Sequence, residues 1–281
     1  MNKEALEEIL ECMATSVKMY DIQKIQTEHR IKLAKFWGIC NGEKVLEIGC
    51  GQGDTTAVLA YFVGEEGFVN GVDIASPDYG APITVGQSAE YLRKSKLGKQ
   101  IKMDYEIDVL DDKISFPEHY FDIVVLSHCS WYMKSYEELE SILAKARSWG
   151  KRLCFAEWDT RVNSIEQYPH FLAVLIQAQY ECFKASSFAN VRTLFTPMDI
   201  KRAAESSGWS IDNETSILSE NMQDGKWECD IVRNDYKDEI NKLSEVPIKL
   251  KELINSEVDL LQSYVQVNGV KCMSTFAFTA K

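Results

Sequence analysis

Val45-Leu46-Glu47-Ile48-Gly49-Cys50-Gly51-Gln52-Gly53 is the stretch that decides the fold. Its first half continues from Lys44 as a short apolar run, the pattern of a buried strand. Its second half places glycine at alternate positions, and Asp54-Thr55 then open a helix that reads through to residue 63. The chain repeats this rhythm. Residues 68–73 read as a strand ending in an acid, 85–95 as a helix and 102–107 as a strand. Residues 121–127 follow as a strongly apolar strand, 136–149 as a helix and 152–157 as a strand. Alternating strands and helices mean parallel strands joined by crossovers, so the expected class is α/β with an open, doubly wound sheet.

Outside this segment the pattern changes. Ala5, Leu6, Ile9, Leu10, Met13 and Val17 fall near helical spacing and predict an amphipathic helix over 3–19, followed by another over 22–37. Residues 164–190 read as one long, aromatic-rich helical insertion. A helix over 198–207 stops at Gly208 and leads into a strand over 209–215. A helical stretch over 235–262 precedes a last strand over 271–279. No internal repeat or low-complexity linker divides the chain. The expectation is one domain over 1–281, with an N-terminal helical cap (1–38), a ligand-binding core (39–160), a helical lid insertion (161–195), and the C-terminal part of the sheet with its helical insertion (196–281).

The formal net charge of −12 argues against a broad nucleic-acid or anionic membrane footprint, both of which need excess Lys and Arg. No apolar run reaches the roughly 18 residues needed to cross a bilayer. The N-terminal Met1–Glu8 segment is charged and lacks the apolar stretch of a signal peptide. The eight cysteines include no C-x-x-C pair, which disfavours a zinc knuckle and a disulfide framework, and Cys154 reads as a core residue. A cytoplasmic location without stable membrane association is expected, with no metal and an oligomeric state the sequence leaves open.

A glycine-rich turn between strand and helix is shared by many nucleotide binders. A dinucleotide fingerprint wants G-x-G-x-x-G, whereas here the third glycine comes one residue early and Asp54 takes its place. Carboxylates at Glu47 and Asp54 repel a diphosphate and suit a ligand carrying an ammonium and a sulfonium. Asp73 closes the second strand, where a carboxylate accepts both ribose hydroxyls. Asp108, after the third strand, is placed for the exocyclic amine of a purine.

Glu47-x-Gly49-x-Gly51-x-Gly53, Asp73 and Asp108-Val109, with the strand over 121–127, resemble the cofactor motifs of the class I S-adenosylmethionine-dependent methyltransferase family. The resemblance covers residues 40–160 well and the terminal strands more loosely. It implies a Rossmann-like, seven-stranded sheet, mostly parallel with an antiparallel last strand. It implies S-adenosyl-L-methionine as cofactor, with Gly49–Gly53 under the methionine part, Asp73 on the ribose and Asp108 at the adenine. The candidate cofactor contacts are Glu47, Gly49, Cys50, Gly51, Gly53, Asp73, Ile74, Asp108, Val109, Ser127 and His128. The loop 73–87, with two prolines and two glycines, is longer than usual. Together with Ser127-His128-Cys129-Ser130-Trp131-Tyr132 and Ala156-Glu157-Trp158 it resembles a little-characterised microbial subgroup sometimes labelled cyclopropane-fatty-acid-synthase-like. No synthase substrate residues match onto the chain. The loop either covers the nucleoside through Asp78, Tyr79 or Gln87, or is a rigid structural loop.

Ligands of open α/β sheets bind beyond the carboxyl ends of the strands. Ser127, His128, Trp131, Tyr132, Glu157, Trp158, Asp159 and Arg161 lie there. A sulfonium methyl is already activated, so the main task is to align a nucleophile and strip its water. His128, Glu157 and Tyr132 are the catalytic candidates. His128 is either a general base or a hydrogen-bonding partner of the cofactor or a backbone carbonyl. Glu157 either takes a proton, holds a cationic substrate, or is a hydrogen-bonded strand-end acid. Trp131, Tyr132 and Trp158 form either a pocket wall or ordinary core. Tyr168, His170, Phe171, Tyr180 and Phe183 in the insertion either close over a substrate or pack as core. Arg192 either meets a substrate carboxylate or makes a structural ion pair. The reading is methyl transfer to a small-molecule partner in an enclosed pocket. The alternatives are a lipid-modifying transferase using the same cofactor and a non-catalytic S-adenosylmethionine-binding protein; glycine spacing disfavours a nicotinamide enzyme.

Overall fold

The computed structural model describes residues 3–187, 189–243 and 245–281; Met1, Asn2, Phe188 and Ser244, within the N-terminal, insertion and C-terminal readings above, lie outside the described residues. Lys44–Ile48 forms β1 at the middle of the sheet, and the glycine turn leads into α3 (Asp54–Val63). The other strands are β2 (Phe68–Val72), β3 (Ile101–Asp104), β4 (Phe121–Ser127), β5 (Gly150–Trp158), β6 (Ile211–Ile217) and β7 (Thr275–Ala280). Their order is β3-β2-β1-β4-β5-β7-β6. β1 to β5 run parallel, and β7 lies antiparallel between β5 and β6. The seven-stranded, mostly parallel sheet is the one the family resemblance implies. Connections leave β1 on one side and return on the other, so the crevice opens where β1 and β4 end, at Ile48 and Ser127.

Alternation along the strands separates two cores. Val45, Val69, Met103, Ile123 and Val125 face α1 (Lys3–Leu10), α2 (Tyr20–Trp37), α3 and α4 (Val85–Lys94), burying Leu6, Ile9, Leu33, Trp37, Leu59 and Leu92. Leu46, Ile48, Val124, Leu126, Phe155 and Phe278 face α5 (Tyr136–Trp149) and α7 (Pro197–Ser206) on the opposite side. A third cluster holds α6 (Tyr168–Glu181), α8 (Asp224–Asn241) and α9 (Ile248–Asn268) together through Leu172, Ile176, Tyr180, Val232, Ile254 and Val258. Cys154 is fully buried in the first core.

The structure corrects several expected elements. The first helix ends at Leu10 rather than extending to 19. Cys12 and Met13 instead donate to Ile9 and Leu10 carbonyls in a tighter turn that brings Met13 sulfur to Thr27 Oγ1 at 3.6 Å. The insertion is helical only to Glu181, where Phe183 and Lys184 N–H groups bond three residues back and Lys184 Nζ pairs with Glu181 and Glu239. The stretch 235–262 is two helices, α8 starting at Asp224 and α9 following Pro247, whose ring forbids a continuous helix. The last strand starts at Thr275 because the Lys271 and Met273 N–H groups go to the Glu166 carbonyl and His170 Nδ1.

Candidate active site

The turn after β1 is shaped by glycines with φ of +79° at Gly49, +50° at Gly51 and +88° at Gly53, backbone conformations that L side chains rarely adopt. A Cβ on Gly49 would lie 2.7 Å from Cys129 Cβ, whereas one on Gly51 would meet nothing within 4 Å. The turn therefore packs on one side and is open on the other. Asp73 latches it, its carboxylate accepting from Gly51 N at 2.7 Å and from Ala75 N at 2.8 Å. A carboxylate offers about four lone-pair sites, so Asp73 retains two for a ligand.

Ile74, beside Asp73, is 62% exposed, an unusual setting for isoleucine. Asp108 is exposed, with one oxygen accepting from Leu110 N, and Val109 is buried behind it. Cys50 is buried against Gly71, where an added Cβ would come within 2.9 Å. Ser127 Oγ is buried and has no hydrogen-bond partner among the described residues.

Two acids differ from the sequence reading. Glu47 is buried beneath the turn and accepts from Thr56 Oγ1 at 2.5 Å; burial pushes its carboxyl up to about 8, so it is mostly protonated at neutral pH. Asp54 is met by Gln23 Nε2 at 2.9 Å and by the Arg30 guanidinium at 3.4 Å, which offsets its charge. The loop after Asp73 is internally braced. Gln87 and Thr84 cap α4 reciprocally, Gln52 Nε2 donates to Ile83 O, and Tyr105 Oη lies within hydrogen-bond reach of Gly51 O and Val85 O.

Beyond the ends of β4 and β5 lies a cavity of about 170 Å³. His128, Trp131, Tyr132, Glu157 and Trp158 line it from the sheet side, His170, Val174, Asn190 and Val191 from the insertion. His29, Arg30, Met222, Asp224 and Glu228 complete it. The structure brings the three catalytic candidates together here, but Glu157 already accepts three hydrogen bonds. It accepts from Ser130 N at 3.0 Å, Ser130 Oγ at 2.7 Å and Trp158 N at 3.0 Å, which marks it as an anchored carboxylate. His128 sits at a φ of +52°; its Nδ1 is 3.5 Å from Glu157 Oε1 without a hydrogen bond, and its Nε2 is 3.3 Å from His29 Nε2. Tyr132 is 37% exposed, and desolvation with the nearby Tyr79, Glu228 and Glu157 raises its phenol above the usual range.

The Trp158 ring lies between His128 and His170, with centroids 4.7 and 5.0 Å away. His170 is fully buried and its Nδ1 accepts from Met273 N at 3.0 Å, so its proton sits on Nε2, which has no partner among the described residues. Burial holds its pKa down at about 3. Glu228 accepts from Gln177 Nε2 at 2.6 Å, and burial raises its carboxyl. Asp159 and Arg161 form a bidentate pair with each other (2.8 Å for each contact), and Arg192 donates to Ala189 O with its guanidinium over the Tyr132 ring. Tyr180 packs in the helical cluster, and Tyr168 against Tyr264. His29, Arg30, Met222, Asp224 and Glu228 escaped sequence reasoning; the one local signal is His29 on the buried face of α2, beside Thr27 and Ile31. Among the described residues no group of three or more His, Cys, Asp or Glu is arranged to hold a metal.

A family described as a methyltransferase domain matches residues 22–214, from α2 through most of β6. The chain belongs to this family. Among relatives of the methyltransferase domain, the fungal protein Methyltransferase phomM' of Diaporthe leptostromiformis is 29% identical over 231 residues. That match covers 68% of this chain and 59% of the relative, so the chain spans about three fifths of the fungal protein. A crystal structure of a cyclopropane-fatty-acyl-phospholipid synthase-like protein from Lactobacillus casei superposes with a TM-score of 0.87 at 32% identity, covering 99% of each chain. Geranyl diphosphate C-methyltransferase from Streptomyces coelicolor, solved with S-adenosyl-L-homocysteine, shares the fold at a TM-score of 0.51 and 12% identity, covering 94% of this chain and 84% of its own.

Proposed function

We propose that the protein is an S-adenosylmethionine-dependent methyltransferase acting on a compact small molecule held in the cavity beyond β4 and β5. The carrying observation is the turn at Gly49–Gly53, open at Gly51 and latched to an Asp73 carboxylate that keeps two lone pairs free. Those features fit a nucleoside with a methionine tail. Asp73 takes the ribose hydroxyls, Ile74 and Val109 offer apolar contact to the base, and Asp108 accepts from its amine. Gly49, Cys50, Gly51 and Gly53 give backbone to the tail, with Glu47 beneath it and Ser127 and His128 at the β4 end. When bound, this cofactor supplies a methyl group already activated on a sulfonium.

The cavity supports a ring-sized acceptor. A volume near 150 Å³ holds a benzene molecule, and this one measures about 170 Å³. His170 Nε2–H is a fixed, neutral donor for an oxygen on the acceptor, because a buried N–H without a partner costs about 1–3 kcal/mol. Trp131, Tyr132 and Trp158 wall the ring, and His128 is the base. The lipid-modifying alternative fits less well, since an acyl chain would bring no partner for the buried His170 Nε2–H. We assign residues 1–38 as a cap, 39–160 as the cofactor core, 161–195 as a lid and 196–281 as the rest of the sheet with its helical layer. All eight cysteines are free, as in a reducing cytoplasm, and among the described residues no helix is long and apolar enough to cross a membrane.

The test is methyl transfer from methyl-labelled S-adenosylmethionine, offered a fractionated small-molecule extract and, separately, phospholipid vesicles. Label entering the small-molecule fraction supports the reading, label entering only the vesicles supports the lipid alternative, and cofactor binding without transfer to either supports a non-catalytic protein.

A further inference from the structure

The cavity beyond β4 and β5 has an unbalanced wall. Glu157, Asp224 and Glu228 all line it, and among the described lining residues Arg30 alone is a Lys or Arg. Glu157 is met by the Ser130 and Trp158 donors, with His128 Nδ1 3.5 Å away. Arg30 is committed to Asp54 at 3.4 Å and to Gln26 Oε1 at 3.3 Å. Arg192 stays outside this wall, donating to Ala189 O with its guanidinium over the Tyr132 ring. Burial lowers the pKa of His29 and His170, so neither ring supplies a positive charge at neutral pH.

Asp224 and Glu228 are left with neutral partners. Asp224 accepts from Gln26 Nε2 at 3.5 Å and Glu228 from Gln177 Nε2 at 2.6 Å, and among the described residues neither makes an ion pair. Four residues apart on α8, they share one helix face, where like charges repel. Burial raises the Glu228 carboxyl, and the Asp224 charge adds to the rise. His170, fully buried in the same wall, keeps an Nε2–H without a partner. The wall thus holds two carboxylates without a cation and one donor without an acceptor.

We propose that Asp224 and Glu228 bind a cationic amine, so that the acceptor is a small ring carrying an ammonium group as well as the oxygen assigned to His170. The ligand's role as acceptor rests on the proposed methyl transfer, whereas its charge rests on the cavity wall alone. An ammonium brings three N–H donors, and each carboxylate offers about four lone-pair sites. With one side-chain bond in place at each, both have room to accept. Asp224 opens α8, where the helix N-terminus favours a carboxylate in its charged form. Trp131, Tyr132 and Trp158 supply the surface for the ring. The same wall repels a carboxylate or a phosphate.

Three ring compounds of like size test the charge: 4-hydroxybenzylamine, 4-hydroxybenzyl alcohol and 4-hydroxybenzoate. Each is titrated by calorimetry into the protein alone and into the protein loaded with S-adenosylhomocysteine. The amine should bind at least about tenfold tighter than the alcohol, and the benzoate most weakly. Equal binding of amine and alcohol, or tighter binding of the benzoate, overturns the cation site. Glu228→Gln and Asp224→Asn each keep the side-chain shape and an oxygen for the neighbouring glutamine. Each should cut the amine-to-alcohol ratio at least about threefold and leave affinity for the alcohol within about twofold. A ratio unchanged in both variants overturns the assignment to α8, and the wild-type comparison decides the charge if a variant fails to fold. Amine preference without S-adenosylhomocysteine binding upholds the cation site and counts against methyl transfer. Cofactor binding without amine preference does the reverse.

Discussion

Replacing Glu47 with glutamine tests the site through the energetics of the apo protein. Glu47 is buried beneath the glycine turn, and desolvation carries its carboxyl from the usual 4.5 to about 8, against smaller opposing effects from Thr56 and Arg30. Between those values the folded protein keeps a proton that the unfolded chain has lost, so stability falls as pH rises through the window. At about 1.4 kcal/mol per pH unit, the cost of Glu47 grows by roughly 3 kcal/mol between pH 6 and pH 8 and levels off above. The glutamine amide keeps an oxygen for the Thr56 hydroxyl and has nothing to ionise. Scanning calorimetry from pH 5 to 9 should show the wild-type melting temperature falling relative to that of Glu47→Gln by about 6 °C or more. Parallel curves for the two proteins would refute the argument. The same carboxyl should deprotonate when a cationic methionine tail binds above it. Cofactor titrations at pH 7 in buffers of different ionisation enthalpy should then report proton release by the wild type and none by Glu47→Gln.

Asp73→Ala removes the latch and the proposed ribose contact, and should weaken S-adenosylmethionine and S-adenosylhomocysteine at least tenfold, about 1.4 kcal/mol, by calorimetry. Ile74→Ala changes an exposed side chain and should leave stability within about 0.5 kcal/mol of wild type, while nucleoside affinity falls measurably; equal affinity would remove Ile74 from the site. His29 and His170 are buried neutral, with pKa values held well below 6.5 and at about 3. The unfolded chain gains protons there as pH falls below 6.5, so each histidine costs stability at about 1.4 kcal/mol per pH unit on the acid side. His170→Asn, which keeps an acceptor for Met273 N–H, should flatten that acid limb in urea titrations.

β1, α3, β4 and α5 have the bounds their sequence pattern predicts, because each is a local apolar run or stripe closed by a clear stop. The family follows from the same segment. What the pattern hides is set by tertiary contacts. Glu47 reads as an anionic lining until its burial is seen, and Asp54 until Arg30 is found beside it. The cavity beyond β4 and β5 joins His29 of α2, His128 after β4, His170 of α6 and Glu228 of α8, and no local spacing announces such a meeting. His128 and Glu157 were legible because strand ends in this topology face the crevice. Pro247 carries the break between α8 and α9, and a reading of 235–262 as one helical stretch passes over it.

The most direct measurement is isothermal titration of the wild-type protein with S-adenosylmethionine and S-adenosylhomocysteine. The account predicts saturable one-to-one binding of both, lost in parallel in Asp73→Ala. A folded protein that binds neither would contradict it.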